Sequence, residues 1–167
     1  GPYVWYYISG EFEGDRIEGT YRNNLREGPS VYYFSGEFEG DRVERTYKND
    51  VLEGPYTYYW SDGDREEGTY KNDVREGPYF VYRFNGDRQK GTYKNDVKEG
   101  PYVIYFSSKG PGTIGGREEG TYKNDVFEGP YVYYFSNGDR IEGTYKDGKK
   151  DGPHTYYWSD GDREEGT

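Results

Sequence analysis

Acidic residues are the groups in this chain whose spacing comes nearest to chemistry. Asp62, Asp64 and Glu66, repeated as Asp160, Asp162 and Glu164, have the alternate spacing of calcium-loop ligands, and they also fit ordinary solvated turns rich in glycine and acid. Glu66-Glu67 and Glu118-Glu119 place two carboxylates side by side, but neighbours on a strand point to opposite faces and cannot share work as acid and base. The stretch Gly110-Pro-Gly112-Thr-Ile-Gly115 spells G-x-G-x-x-G literally. It contains proline, follows an antiparallel strand and leads into Arg117-Glu-Glu-Gly instead of a helix, so it does not read as a phosphate loop. His154 is the only histidine and cysteine is absent, which leaves no parts for a triad, a histidine metal site or a thiol nucleophile. The expectation is a chain with no catalytic residues, no metal site and no cofactor.

The elements that carry these residues are copies of one unit. Gly138 to Gly161 reads GDRIEGTYKDGKKDGPHTYYWSDG: a run ending in Thr-Tyr-Lys, the turn pair Asp147-Gly148, and a second run that crosses Gly152-Pro153 and ends in aromatics. Asp-Gly supports the positive φ angles of a two-residue hairpin turn, and Thr, Tyr and Trp suit a pleated surface. The unit is expected to be a β-hairpin. Prolines of the Gly-Pro steps stand at Pro2, Pro29, Pro55, Pro78, Pro101, Pro130 and Pro153, spaced 27, 26, 23, 23, 29 and 23 residues apart. The base period is 23 residues, and each excess falls between the aromatic strand and the next Arg-x-x-Gly. Units one and two carry Ser-Gly-Glu-Phe-Glu-Gly-Asp-Arg there (Ser9 to Arg16, Ser35 to Arg42), and the longest insertion is 107–116. The chain begins on a second strand and stops within a first strand, so both terminal units are expected to be incomplete.

Asn-Gly-Asp-Arg-x-x-Gly-x-Tyr-x-x-Gly-Lys-x-x-Gly, followed by aromatics and Asp-Gly, resembles the MORN (membrane occupation and recognition nexus) repeat. Asn-Asp usually replaces Asn-Gly or Asp-Gly at the turn, Gly-Pro replaces Gly-x-Gly, and Arg45 stands where a glycine is expected. The resemblance covers nearly the whole chain. It implies an all-β fold, an elongated single-layer antiparallel sheet of about seven consecutive hairpins forming one array over 1–167. It also implies a scaffold, with partners ranging from peptides to membrane lipids.

Composition limits the partners. The chain has 167 residues, 31% hydrophobic, with 26 glycines and 23 tyrosines, so apolar cover must come from aromatic rings whose hydroxyls stay wet. Charged residues make up 32%, but 20% aromatic content sets the chain apart from disordered sequences. A formal charge of −10 argues against nucleic acid and against direct binding to an anionic membrane, since both reward clustered Lys and Arg. No apolar run approaches the roughly 20 residues of a membrane helix.

Counting outward from Asn72-Asp73 pairs Lys71 with Val74, Tyr70 with Arg75, Thr69 with Glu76 and Gly68 with Gly77. Cross-strand pairs share a face, so an aromatic ring can lie over the glycines, a known compensation. Each Gly-Pro is expected to mark a bulge or bend. Strand alternation puts the tyrosines of the Gly-Thr-Tyr steps, Tyr21, Tyr70, Tyr93, Tyr122 and Tyr145, with Tyr47 in the unit that carries Arg45, in a row on one side. That row is the candidate binding surface for a protein or peptide on a non-catalytic scaffold. Two other readings stay open: a surface or extracellular carbohydrate-binding array, and a structural protein that joins end to end through its unpaired edge strands.

Overall fold

The computed structural model of the chain describes residues 1–108 and 115–167. Most of the insertion 107–116, including Gly110 and Gly112 of the literal G-x-G-x-x-G, lies outside the described residues. Among those described, the regular elements are strands and one 3-10 turn, Gly36–Phe38. The chain divides into two compact units, Gly1–Val81 and Tyr82–Thr167. Each is an antiparallel sheet of consecutive hairpins, and its principal packing joins strands that are neighbours in the ladder.

The turns form where the sequence places them. Asn49-Asp50, Asn72-Asp73 and Asn124-Asp125 all hold φ between 50° and 69°, a left-handed pair that costs most L residues about 1–2 kcal/mol each and that Asn and Asp tolerate. Aspartate in place of the expected glycine has a second use. The Asp50 carboxylate accepts the Arg26 backbone N–H at 2.7 Å, Asp73 that of Leu52 at 2.8 Å, and Asp125 that of Lys98 at 2.7 Å. The glutamate of each Glu-Gly-Pro reciprocates: Glu27 accepts from Asn49 N–H at 2.9 Å, and Glu99 from Asn124 N–H at 3.0 Å. Successive turns are thereby stapled to one another.

Beyond the turn the ladder starts as the sequence count predicts, with Tyr70 opposite Arg75 and Lys71 opposite Val74. The Gly-Pro step then shifts it. Tyr122 pairs with Phe127 but Glu119 pairs with Val132, so two extra residues sit on the second strand. The same step separates Tyr47↔Leu52 from Glu44↔Thr57. The simple count that sets Gly68 against Gly77 misses this bulge. Proline cannot donate to the ladder, and a glycine at positive φ before it, such as Gly77 at +86°, takes up the irregularity. A shift of two keeps every side chain on its own face.

Glycines of the Gly-Thr-Tyr step lie under rings of the preceding hairpin: Gly19 pairs with Tyr3, Gly68 with Tyr56, Gly120 with Tyr102 and Gly143 with Tyr131. A Cβ built at Gly68 or Gly120 would stand 2.7 Å from the covering tyrosine, closer than van der Waals contact permits. The exception explains itself. Where Arg45 replaces the glycine, its partner is Ser30 in place of tyrosine, so large over small has become small over large, and the Arg45 guanidinium lies 5.1 Å from the Tyr32 ring centre.

Candidate functional site

Strand alternation gives each unit two faces of different chemistry. One carries alternating arginine and tyrosine: Tyr6↔Arg16↔Tyr33↔Arg42↔Tyr59 in the first unit and Tyr105↔Arg117↔Tyr134↔Arg140↔Tyr157 in the second. Each guanidinium lies on the next ring, Arg16 4.2 Å from the Tyr33 centroid and Arg140 4.0 Å from that of Tyr157. Each also meets the glutamate two residues on, as in Arg16–Glu18 at 3.2 Å and Arg117–Glu119 at 3.0 Å. This face neutralises itself.

The opposite face holds the candidate row. Tyr21, Tyr47 and Tyr70 in the first unit, and Tyr93, Tyr122 and Tyr145 in the second, occupy one register position, each opposite the second residue of the strand that follows the turn. Four of them pack against covering rings, with centroids 4.5 Å apart for Tyr3–Tyr21, 4.8 Å for Tyr56–Tyr70, 4.9 Å for Tyr102–Tyr122 and 4.7 Å for Tyr131–Tyr145. Their depth differs. Tyr47, Tyr93 and Tyr122 are 5%, 4% and 7% exposed, Tyr70 and Tyr145 are half-buried, and Tyr21 is 37% exposed. Alternation reveals the face but not the depth, which depends on neighbours such as Phe127, stacked 4.7 Å from Tyr122. Cations reach this face too: Arg26 lies 4.1 Å from the Tyr47 ring centre and Lys150 4.6 Å from that of Tyr131.

Buried acids were the feature that sequence reasoning missed. Glu118 is 5% exposed. It accepts the Tyr102 hydroxyl at 2.8 Å and the Tyr145 hydroxyl at 3.2 Å, with Lys150 Nζ at 3.9 Å. Glu66 accepts the Tyr56 hydroxyl at 2.7 Å. The signal was there in the alternation itself, since Glu67 and Glu119 turn outward to Arg65 and Arg117 and their neighbours must turn inward. Burial first, and then the hydrogen bond to Glu118, push the Tyr102 hydroxyl far above its ordinary pKa. The calcium-like triplet is engaged otherwise: Asp62 accepts the N–H of Asp64 at 3.0 Å in the turn, and Glu66 accepts the Tyr56 hydroxyl at 2.7 Å. His154 does for Gly166 what the tyrosines do elsewhere, pairing with it across the ladder.

Aspartates of the Gly-Asp-Arg steps tie successive connections together. Asp15 accepts the Tyr32 hydroxyl and the Ser35 N–H and Oγ–H, the last two at 2.7 Å. Asp41 accepts from Tyr58 and Ser61, and Asp139 from Tyr156 and Ser159. Burial opposes the Asp15 charge, but the Tyr32 and Ser35 hydrogen bonds outweigh it and hold its pKa below the ordinary carboxylate range. In this arrangement the acids tie hydroxyls and backbone N–H groups of neighbouring strands and connections together. What it offers is surface: rings held by a network of turns.

The MORN repeat family model matches residues 18–38, 46–65, 67–78, 119–140 and 142–163, more than half of the chain. The chain belongs to the MORN repeat family. No curated protein sequence gives a significant match. Between the matched segments, residues 88–105 build the same MORN hairpin, with Tyr93 opposite Lys98 and Lys90 opposite Val103. MORN repeats are interaction modules for proteins or membranes, which is compatible with a non-catalytic scaffold.

Proposed function

We propose that this MORN repeat chain is a non-catalytic scaffold that binds a protein or peptide partner along its tyrosine face. The observation that carries the reading is the row itself: three tyrosines per unit at one register position, with Tyr21, Tyr70, Tyr122 and Tyr145 each packed against a second ring. Tyr47, Tyr93 and Tyr122 form the floor of that face. Tyr21, Tyr70 and Tyr145 are the members whose ring edges a partner can touch, and aromatic anchors of this kind carry the largest truncation costs at interfaces. Neither nucleic acid nor an anionic membrane suits a chain of net charge −10.

The test is selection of peptides from a displayed random library on the immobilised chain, followed by titration of the winners against Tyr21→Ser/Tyr70→Ser and Tyr145→Ser variants. Binding weakened more than tenfold, in variants that still unfold cooperatively well above the assay temperature, is the expected result. Equal binding by parent and variants overturns the reading, and selective retention of glycans on an array in place of peptides moves it to the carbohydrate class. Self-association through a sheet edge is a second reading, favoured by the strand Pro2–Tyr6, in which Val4, Trp5 and Tyr6 are all more than half exposed. Sedimentation at rising concentration checks it, a constant monomer mass counting against it.

A further inference from the structure

Two connections of the first unit are longer than the strands require. The shortest kind closes with Trp60 N–H donating to Asp64 O at 3.0 Å. The longer ones end on the same bond, Tyr7 N–H to Asp15 O at 3.0 Å and Phe34 N–H to Asp41 O at 3.1 Å, and interpose Gly-Glu-Phe-Glu (Gly10–Glu13 and Gly36–Glu39). The additions are held rigidly. Asp15 N–H donates to Phe12 O at 3.0 Å, Asp41 N–H to Phe38 O at 2.9 Å, and the single Ser35 hydroxyl hydrogen, shared between Asp15 Oδ1 at 2.7 Å and Glu13 O at 2.8 Å, joins the two connections. Each presents a phenylalanine outward, Phe12 at 52% and Phe38 at 58% exposed. Phe38 has a neighbouring connection on either side and is still as open as Phe12.

Charge surrounds these rings with a single sign. Glu11, Glu13, Glu37 and Glu39 are all exposed, and neither connection contains a lysine or arginine. Arg16 and Arg42, which follow, are already engaged by Glu18 and Glu44 on the arginine face. Behind the two phenylalanines the rings run on without a break: Phe12 to Tyr7 at 5.8 Å, Tyr7 to Tyr32 at 6.2 Å, Tyr32 to Phe34 at 4.7 Å, and Phe34 to Phe38 at 6.4 Å. Corresponding points of successive hairpins are about 10 Å apart, close to the roughly 10.5 Å rise of seven residues in a helix.

We propose that these two connections form a docking site for a basic amphipathic segment of a partner protein. Apolar residues seven apart on the segment seat on Phe12 and Phe38, and Lys or Arg beside them meet the four glutamates. The proposal rests on the scaffold reading but places the partner's anchor on the rim of the first unit instead of on the tyrosine row. Four like charges beside the rings also give specificity, because an acidic segment or an anionic bilayer is repelled.

The experiment uses the full chain and a fluorescent 18-residue peptide of leucine and lysine at helical amphipathic spacing, with two controls: the same residues scrambled, and glutamate in place of lysine. Anisotropy is read at low and high salt for the parent, for Phe12→Ser/Phe38→Ser, and for Glu11→Gln/Glu13→Gln/Glu37→Gln/Glu39→Gln, each with its unfolding midpoint. The altered side chains are exposed, so the fold is expected to survive. Expected are at least tenfold tighter binding of the patterned than of the scrambled peptide, a tenfold loss in the phenylalanine variant, and a flatter salt dependence in the glutamine variant. No binding by the parent, equal binding of patterned and scrambled peptide, or full binding by the phenylalanine variant overturns the proposal. So does capture of the parent on phosphatidylcholine vesicles without peptide binding, which assigns the rings to a membrane. A Tyr21→Ser/Tyr70→Ser variant in the same assay separates the two sites: loss there with retention in the phenylalanine variant sinks this site and leaves the tyrosine face standing.

Discussion

The residue that follows the arginine of a Gly-Asp-Arg step, or of Gly115-Gly116-Arg117, starts the inward face of its strand, and hairpins fill it in two ways. In the first two hairpins of the first unit it is Ile17 and Val43, which join Tyr32 and Tyr56 in a buried cluster. In the next hairpin of that unit it is Glu66, held by the Tyr56 hydroxyl, and in the second unit one such position is Glu118, held by two tyrosine hydroxyls. A core of tyrosines can accept either, because each ring brings its own polar atom and the acid that satisfies it can come from the strand or from the rim. Tyr32 uses the rim, through Asp15, and Tyr102 uses the strand, through Glu118. Tyr3 shows the limit. Its hydroxyl is buried without a hydrogen-bond partner, since Ile17 stands where Glu118 stands in the other unit.

The largest effect should come from the floor. Tyr122→Ser removes a ring that is 7% exposed and should cost about 3–5 kcal/mol, as large aromatic truncations do. Tyr21→Ser, at the exposed member of the same row, should cost about 1 kcal/mol. Equal losses in urea unfolding would mean that exposure does not rank the row.

Next is the exchange at the inward position. Glu118→Ile strands the Tyr102 hydroxyl and should cost about 1–3 kcal/mol, and adding Tyr102→Phe should recover most of it, since a buried polar pair can be replaced whole. Ile17→Glu gives Tyr3 an acceptor, so it should cost less alone than Val43→Glu. The same denaturation series reads all four, and a double variant no better than Glu118→Ile would refute the equivalence of the two cores.

Ser30→Tyr should cost about 1–3 kcal/mol by overpacking against Arg45, with Arg45→Gly restoring stability in the double variant. A cycle with no coupling would show that the two side chains do not share one volume.

Proton linkage should act on both units. Burial, with hydrogen bonds to Asp15 and Asp41, raises Tyr32 and Tyr58, and burial with Glu118 raises Tyr102 and Tyr145. A phenol whose folded pKa exceeds its unfolded value of about 10 keeps its proton longer in the fold, so this stability is full below pH 10 and is lost as pH rises beyond it. The lowered carboxyls, Asp15 against burial and Asp139 through its Tyr156 hydrogen bond, have the opposite sign. Their contribution is present above about pH 4 and is lost as pH falls through the folded value. Denaturation midpoints should be flat between those limits, and a midpoint still rising above pH 10 would contradict the assignment.

Smallest is the turn. Asp73→Gly relieves a left-handed aspartate but removes the bond to Leu52, two effects of about 1 kcal/mol with opposite sign, so the net change should lie within about 0.5 kcal/mol.

The turns, the first pairs beside them and the common side of the tyrosine row were legible because each follows from local rules: Asn-Asp for positive φ, and alternation for the face. The two-residue bulge at Gly-Pro was legible as an irregularity but not in size, since proline says only that a donor is missing. Depth at Tyr47 and Tyr122 depends on rings from other hairpins, Phe127 among them, and no local pattern carries that. Glu118 and Glu66 read as solvent residues by type. Alternation from Gly68 and Gly120, which lie on the tyrosine side, turns both inward, and the outward ion pairs of Glu119 and Glu67 with Arg117 and Arg65 agree.

A chain made of near-copies faces a hazard that an ordinary domain does not: a strand can find the right residues in the wrong repeat. The Ser30–Arg45 pair acts against that error. If the segment around Tyr56 took the place of Ser30, two bulky side chains would compete for the space of one, and if the segment around Ser30 settled on Gly68, a void would be left where a ring belongs. The odd pair therefore works as a key cut differently from its neighbours. It gives one joint of the array an address and proofreads the order in which the hairpins zip together.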